Sequence, residues 1–142
     1  MILTKEYLSQ FLEESKRNKE LCIKNLNIEK INEDAFDEFI FLERLGLSCC
    51  KIKKIEGLDK LINLKTFYIF SNQIEKIEGL DKLTKVTYLN ISSNKFAKIE
   101  GLDKLVDLKI LYIACNQIKK IEGLDKLTKL EELDISHNQI KK

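Results

Sequence analysis

A seven-residue sequence, Ile-Glu-Gly-Leu-Asp-Lys-Leu, constrains this chain more than any other feature, because it occurs four times at one spacing. The copies occupy residues 55–61, 77–83, 99–105 and 121–127. Repetition at a fixed period indicates identical structural units stacked on one another. The sequence around each copy extends the unit to 22 residues: Leu-x-x-Leu-x-Leu-x-x-Asn-x-Ile-x-x-Ile-Glu-Gly-Leu-Asp-Lys-Leu-x-x.

Each unit begins with a short alternating segment, of which Leu111-Tyr112-Ile113 is the clearest copy. Alternation with period 2 predicts a strand with one face buried. The Asn that follows falls where the chain must turn, and its amide can satisfy backbone groups that would otherwise be buried unpaired. We therefore predict a ladder formed by Asn72, Asn94, Asn116 and Asn138.

The rest of each unit is the return path that leads to the next strand. In the fourth copy we expect Ile118, Ile121, Leu124 and Leu127 to line its inner side, and each is worth roughly 1.5 to 3 kcal/mol when buried. A single unit cannot bury this face alone, so its stability depends on the neighbouring units.

The complete unit resembles the leucine-rich repeat in its 22-residue subclass. This resemblance implies an α/β solenoid, a right-handed arc with a short-stranded parallel sheet on its concave face. The regular repeats begin with Leu42, and Cys50 occupies the first ladder position. Residues 21–31 form a degenerate first repeat, in which Leu26 replaces the ladder Asn.

The first 20 residues carry no repeat and predict an N-terminal cap. Thr4 is a suitable N-cap residue, and an amphipathic helix is expected from Lys5 to about Lys16. Such a helix would cover the first, otherwise open end of the stack. The predicted organisation is a capping helix at 1–20 and a repeat domain at 21–142, with one degenerate and five regular repeats, the last of them incomplete.

Composition places few further limits on function. A net charge of +2 is too small to indicate nucleic-acid binding, and no stretch suggests a membrane span. The N-terminus lacks the pattern of a secretory signal, and four Cys, two of them adjacent, do not resemble a disulfide framework. We expect an intracellular protein, cytoplasmic or nuclear, with no cofactor.

Functional residues should lie where the repeat does not dictate the side chain, on the outward positions of the strands. Stacked strands align these positions in columns across the concave face, and the columns bring aromatic side chains together in the middle. A contiguous aromatic patch is typical of protein interfaces, and charges at its two ends would orient a partner. Alternatively, the aromatic side chains merely shelter the sheet. The predicted binding residues are Arg44, Tyr68, Phe70, Tyr88, Asn90, Ile110, Tyr112, Glu132 and Asp134.

The last repeat stops shortly after Asn138, which leaves the core and backbone of its strand uncovered in the given sequence. Three interpretations remain open: the polypeptide continues, a partner covers this end, or the open edge is tolerated. Leu130, Leu133 and Ile135 are the residues that a partner or a missing segment would cover.

A catalytic alternative rests on Cys115 and His137, which occupy equivalent places in successive repeats. A working thiol nucleophile also needs an orienting group, an oxyanion site and a pocket, and none is apparent in the sequence. A zinc site is disfavoured because Cys49 and Cys50 lie three repeats from Cys115, about 14 Å by strand spacing. We therefore predict no catalytic and no metal-binding residues.

Within the subclass, the repeats resemble those of the leucine-rich regulatory subunit of protein phosphatase 1. Axonemal dynein light chain, ciliary assembly factors and the spliceosomal leucine-rich subunit share this repeat. The resemblance implies a non-catalytic protein-binding module, an adaptor or regulatory subunit. The main alternative is a structural subunit of a large axonemal or ribonucleoprotein assembly, in which specific contact with nucleic acid is not expected.

Overall fold

A computed structural model describes residues 1–141 and shows a parallel β-solenoid with a helical N-terminal segment. The helical segment consists of α1 (Lys5–Leu8), a 3-10 turn (Ser9–Phe11) and α2 (Leu12–Asn18). Six strands follow one another in a single parallel sheet: β2 (Glu20–Lys24), β4 (Arg44–Ser48), β5 (Thr66–Tyr68), β6 (Tyr88–Asn90), β7 (Ile110–Tyr112) and β8 (Glu132–Asp134). This arrangement confirms the predicted fold class.

The strands are in register with the repeat, so that residues 22 apart are paired. Leu45 pairs with Phe67, and Leu89 pairs with Leu111. The step from β2 to β4 is 24 residues, and Leu21 is the partner of Leu45. The longer first link contains successive turns, including a hydrogen bond from Phe39 N to Phe36 O, which bury both aromatic rings in the core.

The predicted asparagine ladder is present. Asn72 shows its chemistry most fully: Oδ1 accepts hydrogen bonds from the backbone N–H groups of Cys50 and Ile52, each at 3.0 Å. Its Nδ2 donates to Leu47 O at 2.8 Å and Ile69 O at 3.0 Å. One side chain thus joins two successive turns. Asn94, Asn116 and Asn138 repeat the Nδ2 bonds in their own turns.

The glycine of the seven-residue sequence is required by the backbone. Gly79 has φ +73°, and a Cβ built on it would lie 2.5 Å from Ile55 O in the preceding turn. The return path therefore passes too close to its neighbour for any side chain, in a left-handed conformation that favours glycine. The uniformity of this sequence follows from the packing of one turn on the next.

The N-terminal cap differs from the predicted single helix. Thr4 is the N-cap and accepts a hydrogen bond from Tyr7 N. The helix then narrows to the 3-10 turn at Ser9–Phe11, where Ser9 Oγ donates to Glu6 O at 2.7 Å. Such side-chain bonds compete with the regular helical pattern. The helix continues to Asn18, and Lys19 ends it in a left-handed conformation with φ 57°.

A second, two-stranded sheet was not predicted. β1 (Ile2–Leu3) pairs in parallel with β3 (Lys30–Ile31). The N-terminal amino group donates to Asn27 O. These contacts fasten the first residues of the chain to the degenerate first repeat.

The prediction for the fourth return path was only partly correct. Ile118 and Leu127 are buried, but Leu124 is half-buried and Ile121 is 55% exposed. The equivalent Ile99 is 2% exposed because the following turn covers it. No such turn covers Ile121 within residues 1–141.

Candidate functional site

The outward positions of the sheet form the concave face, defined here by the outward residues of β2 and β4–β8 and the residues just beyond them. Strand pairing aligns Thr66, Tyr88 and Ile110 in one column, with Arg44 before them and Glu132 after them. The next column contains Gly46, Tyr68, Asn90, Tyr112 and Asp134. The structure therefore brings together the residues that the sequence predicted on this face.

Three tyrosines form a continuous stack in the middle of the concave face, which we call the tyrosine ladder: Tyr68, Tyr88 and Tyr112. The ring centroids of Tyr68 and Tyr88 are 5.2 Å apart, and those of Tyr88 and Tyr112 are 5.5 Å apart. The rings lie diagonally across neighbouring strands, a distance that aromatic side chains can span. The second pair has an edge-to-face geometry, which is favourable for aromatic rings.

The tyrosines are half-buried rather than fully exposed, because each ring covers part of the next. Burial and the neighbouring Tyr68 raise the pKa of Tyr88. The Tyr88 phenol therefore stays protonated at physiological pH and can act as a donor.

The ladder ends at a pair of carboxylates. The Tyr112 hydroxyl donates a hydrogen bond to Glu132 Oε1, and this bond raises the pKa of Tyr112 to about 12. Asp134 Oδ1 accepts hydrogen bonds from Ser136 Oγ at 2.6 Å and Ser136 N at 3.0 Å, which lower the pKa of Asp134. Neither carboxylate lies within 4 Å of a Lys or Arg nitrogen among residues 1–141.

The other end of the concave face includes residues that the sequence did not reveal. Glu20, Cys22 and Lys24 of β2 continue its columns beyond β4. Arg44 forms an ion pair with Glu20, with 3.8 Å between Nη1 and Oε2. The sequence alone places Glu20 in the cap, because the 24-residue step into β4 hides its place in the repeat.

A notch lies between β2 and β5, where Gly46 leaves the concave face without a side chain. Its volume is about 240 Å³, and its lining is Cys22, Ile23, Lys24, Gly46, Ser48, Tyr68 and Phe70. Phe70 follows β5 and is half-buried at the rim. The sequence predicted Phe70 on this face, but it did not predict the notch.

Cys115 and His137 occupy equivalent positions just after β7 and β8, with φ values of 55° and 54°. The same left-handed turn is made by Cys49, Ser71 and Ser93. Their position is therefore set by the geometry of the turn after each strand. No cluster of three or more metal-ligating side chains occurs within residues 1–141.

The unit predicted from the sequence matches a known family. A family model for leucine-rich repeats, in two copies, fits residues 40–82, 62–104, 84–126 and 106–142, which together cover most of the chain. The chain belongs to the leucine-rich repeat family. Proteins of this family generally mediate protein–protein interactions on a non-enzymatic scaffold. No match was found among curated protein sequences.

Solved structures of leucine-rich repeat proteins share the fold. Internalin C2 from Listeria monocytogenes is 28% identical, with a TM-score of 0.72 over 85% of this chain and 60% of that protein. Internalin InlF from the same organism is 24% identical, with a TM-score of 0.72 over 85% of this chain and 35% of that protein. A TLR13–ssRNA13 complex is 19% identical, with a TM-score of 0.84 over 99% of this chain and 20% of that protein.

The chain thus spans 60%, 35% and 20% of these three proteins. The similarity to InlF and TLR13 supports the fold alone. No helix within residues 1–141 has the length and hydrophobicity needed to cross a bilayer.

Proposed function

We propose that this leucine-rich repeat protein is a non-catalytic adaptor or regulatory subunit that binds a partner protein through its concave face. The tyrosine ladder is the observation that carries this proposal. Core packing dictates the inward residues of each strand, but it does not require tyrosine on the outward positions of three successive strands. Tyrosine is enriched among the residues that contribute most to protein–protein affinity.

The charges at the two ends of the face support a directional interface. Glu132 and Asp134 are exposed at one end, and the ion-paired Arg44 lies at the other. Between them, β5, β6 and β7 present aromatic, aliphatic and uncharged polar side chains. An apolar centre with a charged periphery is the usual anatomy of a protein interface.

We extend the proposal to an intracellular location, cytoplasmic or nuclear. Its support is the set of four free cysteines, three of them exposed. Exposed thiols persist in a reducing compartment. A phosphatase-regulator-like role remains one form of the proposal, based on the resemblance of the repeats.

Affinity purification of the tagged protein tests the proposal. A Tyr68→Ala/Tyr112→Ala variant truncates both ends of the tyrosine ladder, and Lys98→Ala/Lys104→Ala changes two exposed return-path residues as a matched control. We expect the first variant to lose the proteins captured by the wild type and the control to keep them. Retention of every captured protein by a folded ladder variant would contradict the proposal.

A structural subunit of a large assembly is the second candidate, based on the resemblance of the repeats to those of axonemal and spliceosomal proteins. Leu133 is 38% exposed, and Leu130 and Ile135 are half-buried at the same edge. In an assembly, a neighbouring subunit would cover these residues. Recovery of large particles that dissociate when Leu133 is changed to Lys would favour this candidate, and loss of the particles after nuclease treatment would identify a ribonucleoprotein.

A further inference from the structure

The glycine beneath the notch is not dictated by the backbone of β4. The equivalent positions in the next four strands are Tyr68, Asn90, Tyr112 and Asp134, so the sheet accepts side chains of any size there. Gly46 does not have a positive φ, and its backbone therefore does not require glycine. Glycine inside a strand is destabilising by roughly 0.5–1 kcal/mol relative to alanine.

A methyl group at this position would enter the notch. A Cβ built on Gly46 would lie only 3.1 Å from Cys22 Sγ, so the end of the Cys22 side chain would have to shift by a few tenths of an ångström to admit it. Cys22 itself is on the exposed strand face, and burial raises the pKa of its thiol. The missing side chain thus leaves an apolar recess beside the tyrosine ladder.

The size of the notch indicates what it can hold. Its volume of about 240 Å³ is below the range of roughly 300–1,000 Å³ typical of small-molecule sites. Tyr68, Phe70 and Ile23 are the large apolar residues of its lining. A single apolar side chain of a bound protein segment suits such a recess, as anchor residues do at the centre of interfaces.

The distance from the notch to the two carboxylates sets the length of that segment. β4 and β8 are four strand intervals apart, roughly 19 Å at about 4.8 Å per interval. An extended polypeptide covers this distance with about six residues. Because Glu132 and Asp134 lack a cationic neighbour within 4 Å among residues 1–141, a basic side chain complements them.

We infer that the concave face binds an extended protein segment that places an apolar side chain in the Gly46 notch and a Lys or Arg about six residues away, against Glu132 and Asp134. This inference rests on the proposed function and specifies the chemistry of the partner. A protein is favoured over a nucleic acid as the partner, because β5–β7 present no basic side chain on this face and Glu132 and Asp134 repel phosphate.

Thiol–disulfide exchange at Cys22 tests the notch directly. The full chain is equilibrated with equal concentrations of 2-phenylethanethiol and 2-mercaptoethanol and their mixed disulfide. The Cys22 thiolate attacks one sulfur, a protein–thiol disulfide forms as the original S–S bond breaks, and the second sulfur leaves as a thiolate. There is no net oxidation, and the equilibrium ratio of the two adducts is independent of the reaction rate.

The exposed Cys49 and Cys115 serve as internal controls, because they share the reagents but lie outside the notch. Mass spectrometry of proteolytic peptides gives the adduct ratio at each cysteine. We expect the phenylethyl adduct to be favoured at Cys22 by about fivefold over the ratio at the controls. Gly46→Ala should abolish this preference, whereas Ser136→Thr, which adds one methyl at the far end of the concave face, should not.

Two results would show that the notch is not an apolar recess. One is an equal ratio of the two adducts at Cys22, Cys49 and Cys115, and the other is a preference for the phenylethyl adduct at Cys22 that Gly46→Ala leaves intact. This experiment uses no partner, and its result is therefore independent of the affinity purification. If Tyr68→Ala/Tyr112→Ala loses the captured proteins but the adduct ratios are equal at the three cysteines, the notch is refuted. The proposed function would still hold.

Selection of random 12-residue peptides displayed on phage tests the chemistry of the segment. We expect enriched peptides to share an apolar residue and a Lys or Arg five to seven positions apart. This spacing follows from the roughly 19 Å between the notch and the carboxylates at about 3.3 Å per extended residue. Binding should fall about tenfold with Gly46→Ala and with Glu132→Lys/Asp134→Lys, and the return-path control Lys98→Ala/Lys104→Ala should retain it.

Three results would contradict the inferred segment. The first is an enriched set without this spacing, and the second is binding that both variants retain. The third is peptide enrichment no greater than on an unrelated protein, because a short extended segment should be sufficient for binding. Tighter binding of a 12-nucleotide single-stranded RNA than of any selected peptide would assign the face to nucleic acid instead.

Discussion

Tyr112 donates a hydrogen bond from its phenol hydroxyl to Oε1 of Glu132 and thereby connects the tyrosine ladder to the acidic end of the concave face. The two residues lie diagonally on neighbouring strands, since Glu132 pairs with Ile110 and Tyr112 pairs with Asp134. The bond holds the Glu132 carboxylate at the rim of the aromatic stack. A basic group of a partner would meet that carboxylate at a fixed position.

This bond predicts an unusual titration. Glu132 raises the pKa of Tyr112 from its ordinary value of 10.0 to about 12 in the folded protein. A raised pKa in the folded state stabilises the protein below pH 10, and this contribution is lost as the pH rises from about 10 to about 12. Tyrosinate absorbance should show one of the four tyrosines titrating near pH 12.

Two variants assign this titration. Glu132→Gln should move the high transition back toward the ordinary range, and Tyr112→Phe should remove one titrating group without changing the fold. An unchanged high transition in Tyr112→Phe would show that another tyrosine produces it. Tyr88, whose pKa is also raised, is the group to examine in that event.

Gly79→Ala should destabilise the protein strongly. The substitution forces an L-residue into φ +73° and places Cβ 2.5 Å from Ile55 O. The left-handed conformation alone costs roughly 1–2 kcal/mol, and the clash adds to this cost. Urea unfolding measures the change in the free energy of unfolding.

Gly46→Ala is the matched control, because it makes the same chemical change where φ is not positive and the nearest atom is Cys22 Sγ. We expect little loss of stability, or a gain of up to about 1 kcal/mol, since alanine is favoured over glycine in a strand. Equal destabilisation by the two substitutions would mean that Gly46, too, is required by the fold.

Asn72→Ala should remove the hydrogen bonds that join its turn to the preceding one. The buried N–H groups of Cys50 and Ile52 would lose their acceptor, at about 1–3 kcal/mol for each group left unpaired. Asn138→Ala is the comparison, because Asn138 is half-buried and water can replace its bonds. Thermal and urea unfolding should show a larger loss of folding free energy for Asn72→Ala than for Asn138→Ala. The reverse order would contradict the asparagine ladder as a source of stability.

A central turn and the turn before β8 predict a contrast between equivalent isoleucines. Ile77→Ala should lower the free energy of unfolding by about 2–5 kcal/mol, because Ile77 is 1% exposed in the core. Ile121→Ala should cost far less, because Ile121 is 55% exposed. If the two variants lose equal stability in dilute solution, Ile121 must be covered there.

The sequence determined the columns of the concave face, because a 22-residue period fixes which outward residues are neighbours. Tyr68, Tyr88 and Tyr112 could therefore be placed together before any coordinates were known. The period could not place Cys22, because the link between β2 and β4 is two residues longer than the repeat. It could not reveal the bond between Tyr112 and Glu132 either, because a diagonal contact depends on side-chain rotamers.

The notch illustrates the same limit. Gly46 was visible in the central column, but its meaning depends on Cys22 and Ile23 from the degenerate repeat and on the rings of Tyr68 and Phe70. The 3-10 turn in the cap was also missed, because bonds such as Ser9 Oγ to Glu6 O are local and interrupt the 3.6-residue pattern. Periodicity predicts what each repeat shares, and the differences between repeats require the structure.

The central claim is that the tyrosine ladder binds a partner protein, and the most direct test is the dissociation constant of a captured partner, measured by titration calorimetry. The account predicts that Tyr68→Ala/Tyr112→Ala weakens binding at least about tenfold, or 1.4 kcal/mol, while the folded protein retains its circular dichroism spectrum. The Lys98→Ala/Lys104→Ala control should bind as the wild type does. A folded ladder variant with an unchanged dissociation constant for every captured partner would contradict the account.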